Sequence, residues 1–325
     1  MEIVKKEMET IEKVKIIKCQ NIILVDASYF IFHRVHALLV WWKCAKKETL
    51  DKPDENKEFV EKFTKSCIQK LLELPLKIIP KDRMMQHSVQ PLLIIAKDCP
   101  REDIWRTAIY PEYKDGRANT PYIGLFFQTF YDIVLPELKK EIHVLNQNEC
   151  LTKKSVSQFT KNVGKRFSKF HLIEHERLEA DDCIAITVNW INQLKNINYI
   201  SILASDKDYL QLAEKDTICI FDANFHDLTE KKSSMGSNKS SQDLLYKIII
   251  GDKSDNIPGI FQSSKKTYGP LFIKKLCEGN RDLLDQLLTQ ENKWEHYHKN
   301  ELLVDFSKIP ENHKEEFINK YFDTK

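Results

Sequence analysis

Ile22-Ile23-Leu24-Val25-Asp26 places four consecutive apolar residues in front of a single carboxylate. The arrangement returns twice. Leu92-Leu93-Ile94-Ile95-Ala96 precedes Lys97-Asp98, and Ile200-Ser201-Ile202-Leu203-Ala204 precedes Ser205-Asp206. Short apolar runs of this kind read as buried strands of a parallel sheet. Residues just past the carboxyl ends of such strands meet in one crevice of an open α/β sheet. Further acids stand in similar settings: Glu179-Ala180-Asp181-Asp182, Asp206 with Asp208, and Asp252 with Asp255. So many like charges share a crevice only if cations neutralise them, because mutual repulsion otherwise raises their pKa values. Every candidate ligand is an oxygen, which selects hard divalent cations, Mg²⁺ or Mn²⁺.

Outward from these strands, Ser28–Trp42 has apolar spacing that suits a helix, and a second helix is expected from Glu58 to Leu74, ahead of Pro75. Residues 99–117 are polar, rich in Arg and aromatics, and read as a connection crossing the mouth of the crevice. Tyr122–Leu135 is helical in pattern and is expected to stop at Pro136, and Glu179–Lys195 reads as an amphipathic helix. A further short strand is expected at Ile218–Phe221 and a linker at Leu228–Ser241, with helices from Gln242 to the end. Alternating strands and helices argue an α/β fold with a helical C-terminal portion.

Composition sets the bounds. An apolar content of 42% over 325 residues is that of a globular chain with a sizeable core. The net charge of +2 conceals 50 basic and 48 acidic residues, so committing acids to a crevice leaves a more basic remainder that suits a polyanionic partner. The eight cysteines are scattered without a C-x-x-C pair, which implies neither a zinc site nor a disulfide framework and points to a reducing, intracellular compartment. Residues 1–18 alternate charge with Ile and Val. They read as an exposed amphipathic helix rather than a signal peptide, and no apolar stretch is long enough to span a membrane.

Spacing sharpens the acidic set. Glu179 and Asp182 are three apart and share a face at a helix start, and Asp252 and Asp255 are again three apart. The chain then resembles a known family. Val25-Asp26-Ala27-Ser28, Ile95-Ala96-Lys97-Asp98, Tyr113-Lys114-Asp115-Gly116-Arg117, Leu178-Glu179-Ala180-Asp181-Asp182, Ala204-Ser205-Asp206-Lys207-Asp208 and Gly251-Asp252-Lys253-Ser254-Asp255-Asn256-Ile257-Pro258-Gly259 follow the order of motifs in the 5′→3′ exonuclease/flap endonuclease family. That family is found at the N-terminus of bacterial DNA polymerase I and as stand-alone chains of phages and large DNA viruses.

The resemblance implies a PIN-like (resolvase-like) twisted, mostly parallel sheet flanked by helices, followed by a helix-three-turn-helix region. It divides the chain into an extension (1–19), a nuclease core (20–230) with an arch segment (99–170), and a DNA-binding helical region (242–325). It implies two-metal hydrolysis of DNA at 5′ ends, flaps or nicks in replication or repair, with RNA–DNA hybrids as an alternative substrate, by a monomer working alongside replication partners. Asp26, Asp98, Glu179, Asp181 and Asp182 would serve the tighter metal. Asp206, Asp208, Asp252 and Asp255 would serve the second. Lys114, Arg117 and Arg106 would lie near the scissile phosphate, and Arg34 would hold a phosphate beside the metals. Two cations about 4 Å apart activate water and stabilise the leaving oxygen, while Lys and Arg neutralise the equatorial charge.

The turn after Pro258-Gly259 departs from the pattern. Ser263, Ser264, Lys265 and Lys266 can bind duplex phosphate at a helix N-terminus, but the run lacks the glycines that a tight monovalent-cation turn uses. The basic stretch within 137–170 is expected to enlarge the arch into a clamp, with Phe159, Phe167 and Phe170 stacking on bases. His171-Leu172-Ile173-Glu174-His175 fits a zinc-peptidase pattern by coincidence, and Trp41-Trp42 reads as core. A non-catalytic nucleic-acid-binding relative is the competing reading, and the complete acidic set speaks against it.

Overall fold

The structure, a computed structural model, describes residues 12–16, 20–86, 90–117, 120–147, 167–194, 199–214, 216–229, 240–261, 270–277 and 281–323. Strands β1 (Asn21–Asp26), β2 (Leu92–Ala96), β3 (Phe170–Ile173), β4 (Tyr199–Leu203) and β5 (Ile218–Phe221) form one sheet. Their order is β3-β2-β1-β4-β5 and every pairing is parallel. Val25 on central β1 is level with Ile95 of β2 and Leu203 of β4, so the three acid-bearing strands end side by side.

Alternation along each strand supplies two cores. Ile22, Leu24, Ile94, Ile200 and Ile202 face one side, against Ile184 and Val188 of α6 (Ala180–Gln193) and Phe317 of α11 (Glu311–Tyr321). Ile23, Val25, Leu93 and Ile95 face the other. There they meet α1 (Ala27–Lys46), α2 (Lys57–Ile78), α4 (Ile123–Thr129) and α5 (Leu135–Gln147) through Phe30, Phe59, Phe63, Phe126 and Leu138. A short α3 (Lys81–Gln86) precedes β2. The C-terminal helices α7 (Ser240–Ile250), α8 (Pro270–Cys277), α9 (Arg281–Gln290) and α10 (Trp294–Val304) build a third core, which also takes in Ile104 and Tyr113.

Two prolines expected to end helices do not. Pro75 lies buried inside α2, which runs on to Ile78. Pro136 lies inside α5, and the π-helical turn Phe130–Val134 precedes it, with Leu135 N–H bonded to Phe130 O. The widened turn leaves room for a ring that would otherwise strike a carbonyl.

The first residues also differ from expectation. Val14 is 1% exposed and pairs in parallel with Phe322, so this part of the extension is an extended edge rather than an amphipathic helix. Trp42 is core, but Trp41 is exposed beneath Lys62, whose Nζ lies 3.7 Å from the ring centroid. Phe167 is fully buried and Phe170 packs on the same core, so neither is presented to stack on bases. Phe159 and the basic residues 153–166 of the expected clamp lie outside the described residues. Among the described residues no disulfide joins the cysteines, and no helix is long and apolar enough to cross a membrane.

Candidate active site

The acids of the crevice are also its local structure. Asp26 ends β1 and caps α1, accepting from Tyr29 N–H at 2.9 Å. At the start of α6, Glu179 N–H donates to Asp182 Oδ2 at 3.3 Å in a reciprocal cap. Asp206 caps the turn Lys207–Leu212 through Asp208 N–H at 3.0 Å. Asp98 accepts from Ala180 N–H at 2.7 Å, which ties the end of β2 to the start of α6. Short polar side chains favour such caps, and acids favour helix N-termini. The segments that need capping therefore deliver carboxylates to one place.

The nine acids divide by what neutralises them. Asp26, Asp98 and Asp181 make no ion pair among the described residues; their partners are backbone N–H groups, the Ser28 hydroxyl on Asp98, and the Tyr209 hydroxyl on Asp26 at 2.9 Å. Burial, then the charge of Asp98, pushes Asp26 up to about 7. Burial raises Asp98 as well, and burial with Asp182 and Glu179 nearby raises Asp181 well above the carboxylate range. Burial, and then the charges of Asp26, Asp181 and Asp98, push the Tyr209 hydroxyl well above its ordinary range.

Glu179 and Asp182 are compensated from below. Arg106 is 2% exposed; its guanidinium grips Asp182 at 2.7 and 2.8 Å and Glu179 at 3.1 Å, while Nε donates to Leu303 O at 2.9 Å. Trp105 Nε1 adds a bond to Asp182 at 2.9 Å. Asp182 thus has both oxygens engaged and no exposure, and with Glu179 and Asp181 it forms a group of carboxylates whose oxygens lie within 4.8 Å of one another. The expectation that Arg106 lies at the scissile phosphate is corrected: it is the buried counter-ion of two acids. Glu179 also receives Lys114 Nζ and the Tyr113 hydroxyl, and against the burial that opposes ionisation Lys114 and Arg106 hold its pKa low.

Lys114 and Arg117 reach the acids: Lys114 pairs with Glu179 and Arg117 with Asp255. Lys114 N–H donates to Asp255 O at 2.8 Å, and Lys114 itself takes a left-handed backbone, φ 59°. Such a conformation persists in a non-glycine residue when its surroundings over-determine it. Arg117 pairs with Asp255 and bonds Ser254 O at 3.2 Å. Asp208 and Asp252 share a cation that the motifs did not single out. Lys247, in the last turn of α7, contacts Asp208 Oδ1 and lies 2.7 Å from Asp252 Oδ2. Burial and then Asp206 still push Asp208 up to about 7, whereas Lys247 and Ser254 hold Asp252 at about 2 despite partial burial. Gly251 makes this loop, with φ 74° and a Cβ position only 2.2 Å from Ile257 O. Asn300 fastens the loop to α10 through Pro258 O at 2.9 Å.

Arg34 is not brought to the carboxylates. Its Nη2 donates to Ser66 Oγ on α2 at 2.9 Å and its Nε is buried without a hydrogen-bond partner among the described residues, so this residue faces the α1–α2 groove. Ser263, Ser264, Lys265 and Lys266 lie outside the described residues. His175 does approach other metal-ligand types, Glu316 at 3.2 Å and His313 with ring centroids 5.4 Å apart. Its Nδ1 accepts from Arg177 N–H at 3.1 Å, so Nε2 carries the proton, whereas a ligating histidine donates from its other nitrogen. Sequence reasoning missed Lys247, Tyr209 and Trp105. The available signals were a lone lysine before Ile248-Ile249-Ile250 and an aromatic next to each of Asp208 and Arg106.

Residues 21–242 match the family described as 5′-3′ exonuclease, N-terminal resolvase-like domain. The chain is 36% identical over 118 residues to DNA polymerase I of Caldicellulosiruptor bescii, covering 33% of this chain and 13% of that one. It is 26% identical over 167 residues to Ribonuclease H of Enterobacteria phage T4, covering 48% of this chain and 52% of that one. The 5′-3′ exonuclease of Halalkalibacterium halodurans is 35% identical over 130 residues, 37% of this chain and 40% of that one. The chain thus spans about half, or less, of these curated relatives. A bacteriophage T5 flap endonuclease in a complex with DNA and metal ions has the same fold, with a TM-score of 0.55 at 17% identity over 92% of this chain and 97% of that one. With the match extending over the whole described sheet and reaching into α7, the chain belongs to the 5′-3′ exonuclease family with an N-terminal resolvase-like domain.

Proposed function

We propose that the protein is a metal-dependent 5′ nuclease that hydrolyses DNA phosphodiesters at a 5′ end, flap or nick, in replication or repair. The observation that carries this reading is the trio Asp26, Asp98 and Asp181: half-buried carboxylates at strand and helix ends that make no ion pair among the described residues and whose pKa values are raised. All are oxygen donors, a set that suits Mg²⁺ or Mn²⁺ and not a soft metal. Asp26, Asp98, Asp181 and Glu179 would hold one ion, and Asp206 and Asp255, with Asp208 and Asp252, a second. Bound there, divalent ions supply an activated water and stabilise the leaving oxygen. Lys114 and Arg117, poised between Glu179 and Asp255, would turn to the scissile phosphate and neutralise its equatorial charge. Arg106 keeps Glu179 and Asp182 in place beneath. Support also comes from family membership and from the T5 relative solved with DNA and metal ions.

The test is cleavage of labelled flap, nicked and blunt duplexes in Mg²⁺. Asp181→Asn and Asp206→Asn are each expected to abolish cleavage while DNA binding in Ca²⁺ survives. Wild-type rates in both variants refute the site. Likeness to the phage T4 Ribonuclease H favours one second reading, removal of RNA primers from a hybrid. An RNA-primed duplex in the same assay separates the two by product length.

A further inference from the structure

The two halves of the acidic set differ in a way that the motifs do not encode. Among the described residues Asp26, Asp98 and Asp181 make no ion pair, and Arg106 and Lys114 pair only with the neighbouring Glu179 and Asp182, but Asp208 and Asp252 share a lysine directly. Lys247 reaches them from the last turn of α7 with its side chain 19% exposed, and the two carboxylates are 13% and 16% exposed. Its Nζ touches one oxygen of each, so it sits between two segments that are 44 positions apart in sequence and does there what a bound cation would do. Its backbone is held as well: Lys247 O accepts from Gly251 N–H at 2.9 Å, and Gly251 has the left-handed φ that returns the chain to Asp252. Asp206 adds to the field at Lys247 without pairing with it.

From this arrangement we infer that Lys247 is a built-in counter-cation that competes with the second divalent ion. The inference rests on the metal-nuclease reading above. At Asp26, Asp98 and Asp181 an ion meets no ion pair among the described residues, and of the acids that share it only Glu179 carries protein cations, Lys114 and Arg106. A second ion reaches Asp208 and Asp252 only when Lys247 withdraws, and that withdrawal breaks two charge-assisted bonds. Such bonds are worth enough to weaken the second ion's binding by about tenfold or more. The chain therefore holds one divalent ion tightly and the second loosely, and it is stable at its second acidic group when no metal is present. Incoming DNA phosphate gives the withdrawn lysine an alternative partner, so substrate and second metal enter together.

The test counts Mn²⁺ ions on the full-length protein, by titration calorimetry and by the electron-paramagnetic-resonance signal of free Mn²⁺, without DNA. Wild type is expected to show one tight and one weak ion. Lys247→Met, which keeps the aliphatic stem and removes the charge, should tighten the second ion about tenfold and leave the first unchanged. Lys247→Gln gives an independent variant, read by melting temperature: it should lose stability in chelator and regain more than wild type does on adding Mn²⁺. A second-ion affinity that is unchanged or weaker in Lys247→Met, or a smaller Mn²⁺-induced rise in Lys247→Gln, overturns the inference. If wild type binds no Mn²⁺ at all, the metal-nuclease reading itself falls. If wild type binds two ions with equal, tight affinity, only the role of Lys247 falls.

Discussion

Replacing Arg106 by Met separates two meanings of that residue. A phosphate-gripping arginine would leave stability intact when lost and would weaken DNA binding. The structure gives the opposite expectation, because Arg106 is 2% exposed with three bonds to carboxylates and one to Leu303 O. Breaking a buried ion pair from one side costs about 3–5 kcal/mol, because the abandoned charge remains desolvated. Here Trp105 stays on Asp182, and Lys114 and Tyr113 stay on Glu179, which together keep the loss near the middle of that range, about 4 kcal/mol. At roughly 2 °C per kcal/mol for a chain of this size, the melting temperature in chelator should fall by roughly 8 °C. Arg106→Lys keeps the charge but not the planar fork and should recover only part of the loss. Scanning calorimetry with EDTA and then with Mn²⁺ is the assay, and the variant should regain more from Mn²⁺ than wild type does, since its floor carries surplus negative charge. A melting temperature within about 2 °C of wild type, combined with weakened DNA binding, would refute the buried counter-ion and restore the phosphate role.

Other expectations concern backbone and protons. Gly251→Ala meets Ile257 O at 2.2 Å in a left-handed conformation and should cost more than about 2 kcal/mol in urea unfolding. Gly116→Ala has the same sign of φ but open space around it and should cost only about 1 kcal/mol; equal effects would deny the close packing at Gly251. For pH, Asp26 and Asp208 have folded pKa values raised to about 7, above the 3.8 of the ordinary carboxyl. Their contribution to stability is fully present below the unfolded value and is lost as pH rises through about 7. The metal-free protein should therefore gain on the order of 1.5 kcal/mol between pH 8 and pH 6.5, and saturating Mn²⁺ should abolish the slope. A metal-free melting temperature that falls over the same interval would contradict the raised carboxyls.

Much of the fold was legible because buried parallel strands leave a simple mark. Ile22–Val25, Leu92–Ala96 and Ile200–Leu203 are buried on both faces, and the first acid past each one lies at the crevice. Compensation was not legible. Arg106 lies in a polar, arginine-rich stretch and looks like a surface residue, while its partner Asp182 is 76 positions away and its carbonyl partner Leu303 is 197 away. Spacing shows which residues reach a strand end, but not which charges find a partner there. Lys247 went unnoticed for the same reason. The prolines misled for a different one: Pro75 and Pro136 obey the local rule, but buried packing in α2 and a widened turn before α5 outweigh it.

The bond from Arg106 to Leu303 O also bears on how the protein is made. A ribosome releases this chain from its N-terminus, and all five strands emerge before residue 222. Until Leu303 follows, the guanidinium under the crevice lacks one acceptor. Asp252 and Asp255, with Lys247, also arrive only after the sheet. The centre therefore closes late in synthesis, and a fragment cut to the family-matched segment 21–242 would carry the strands without a finished floor.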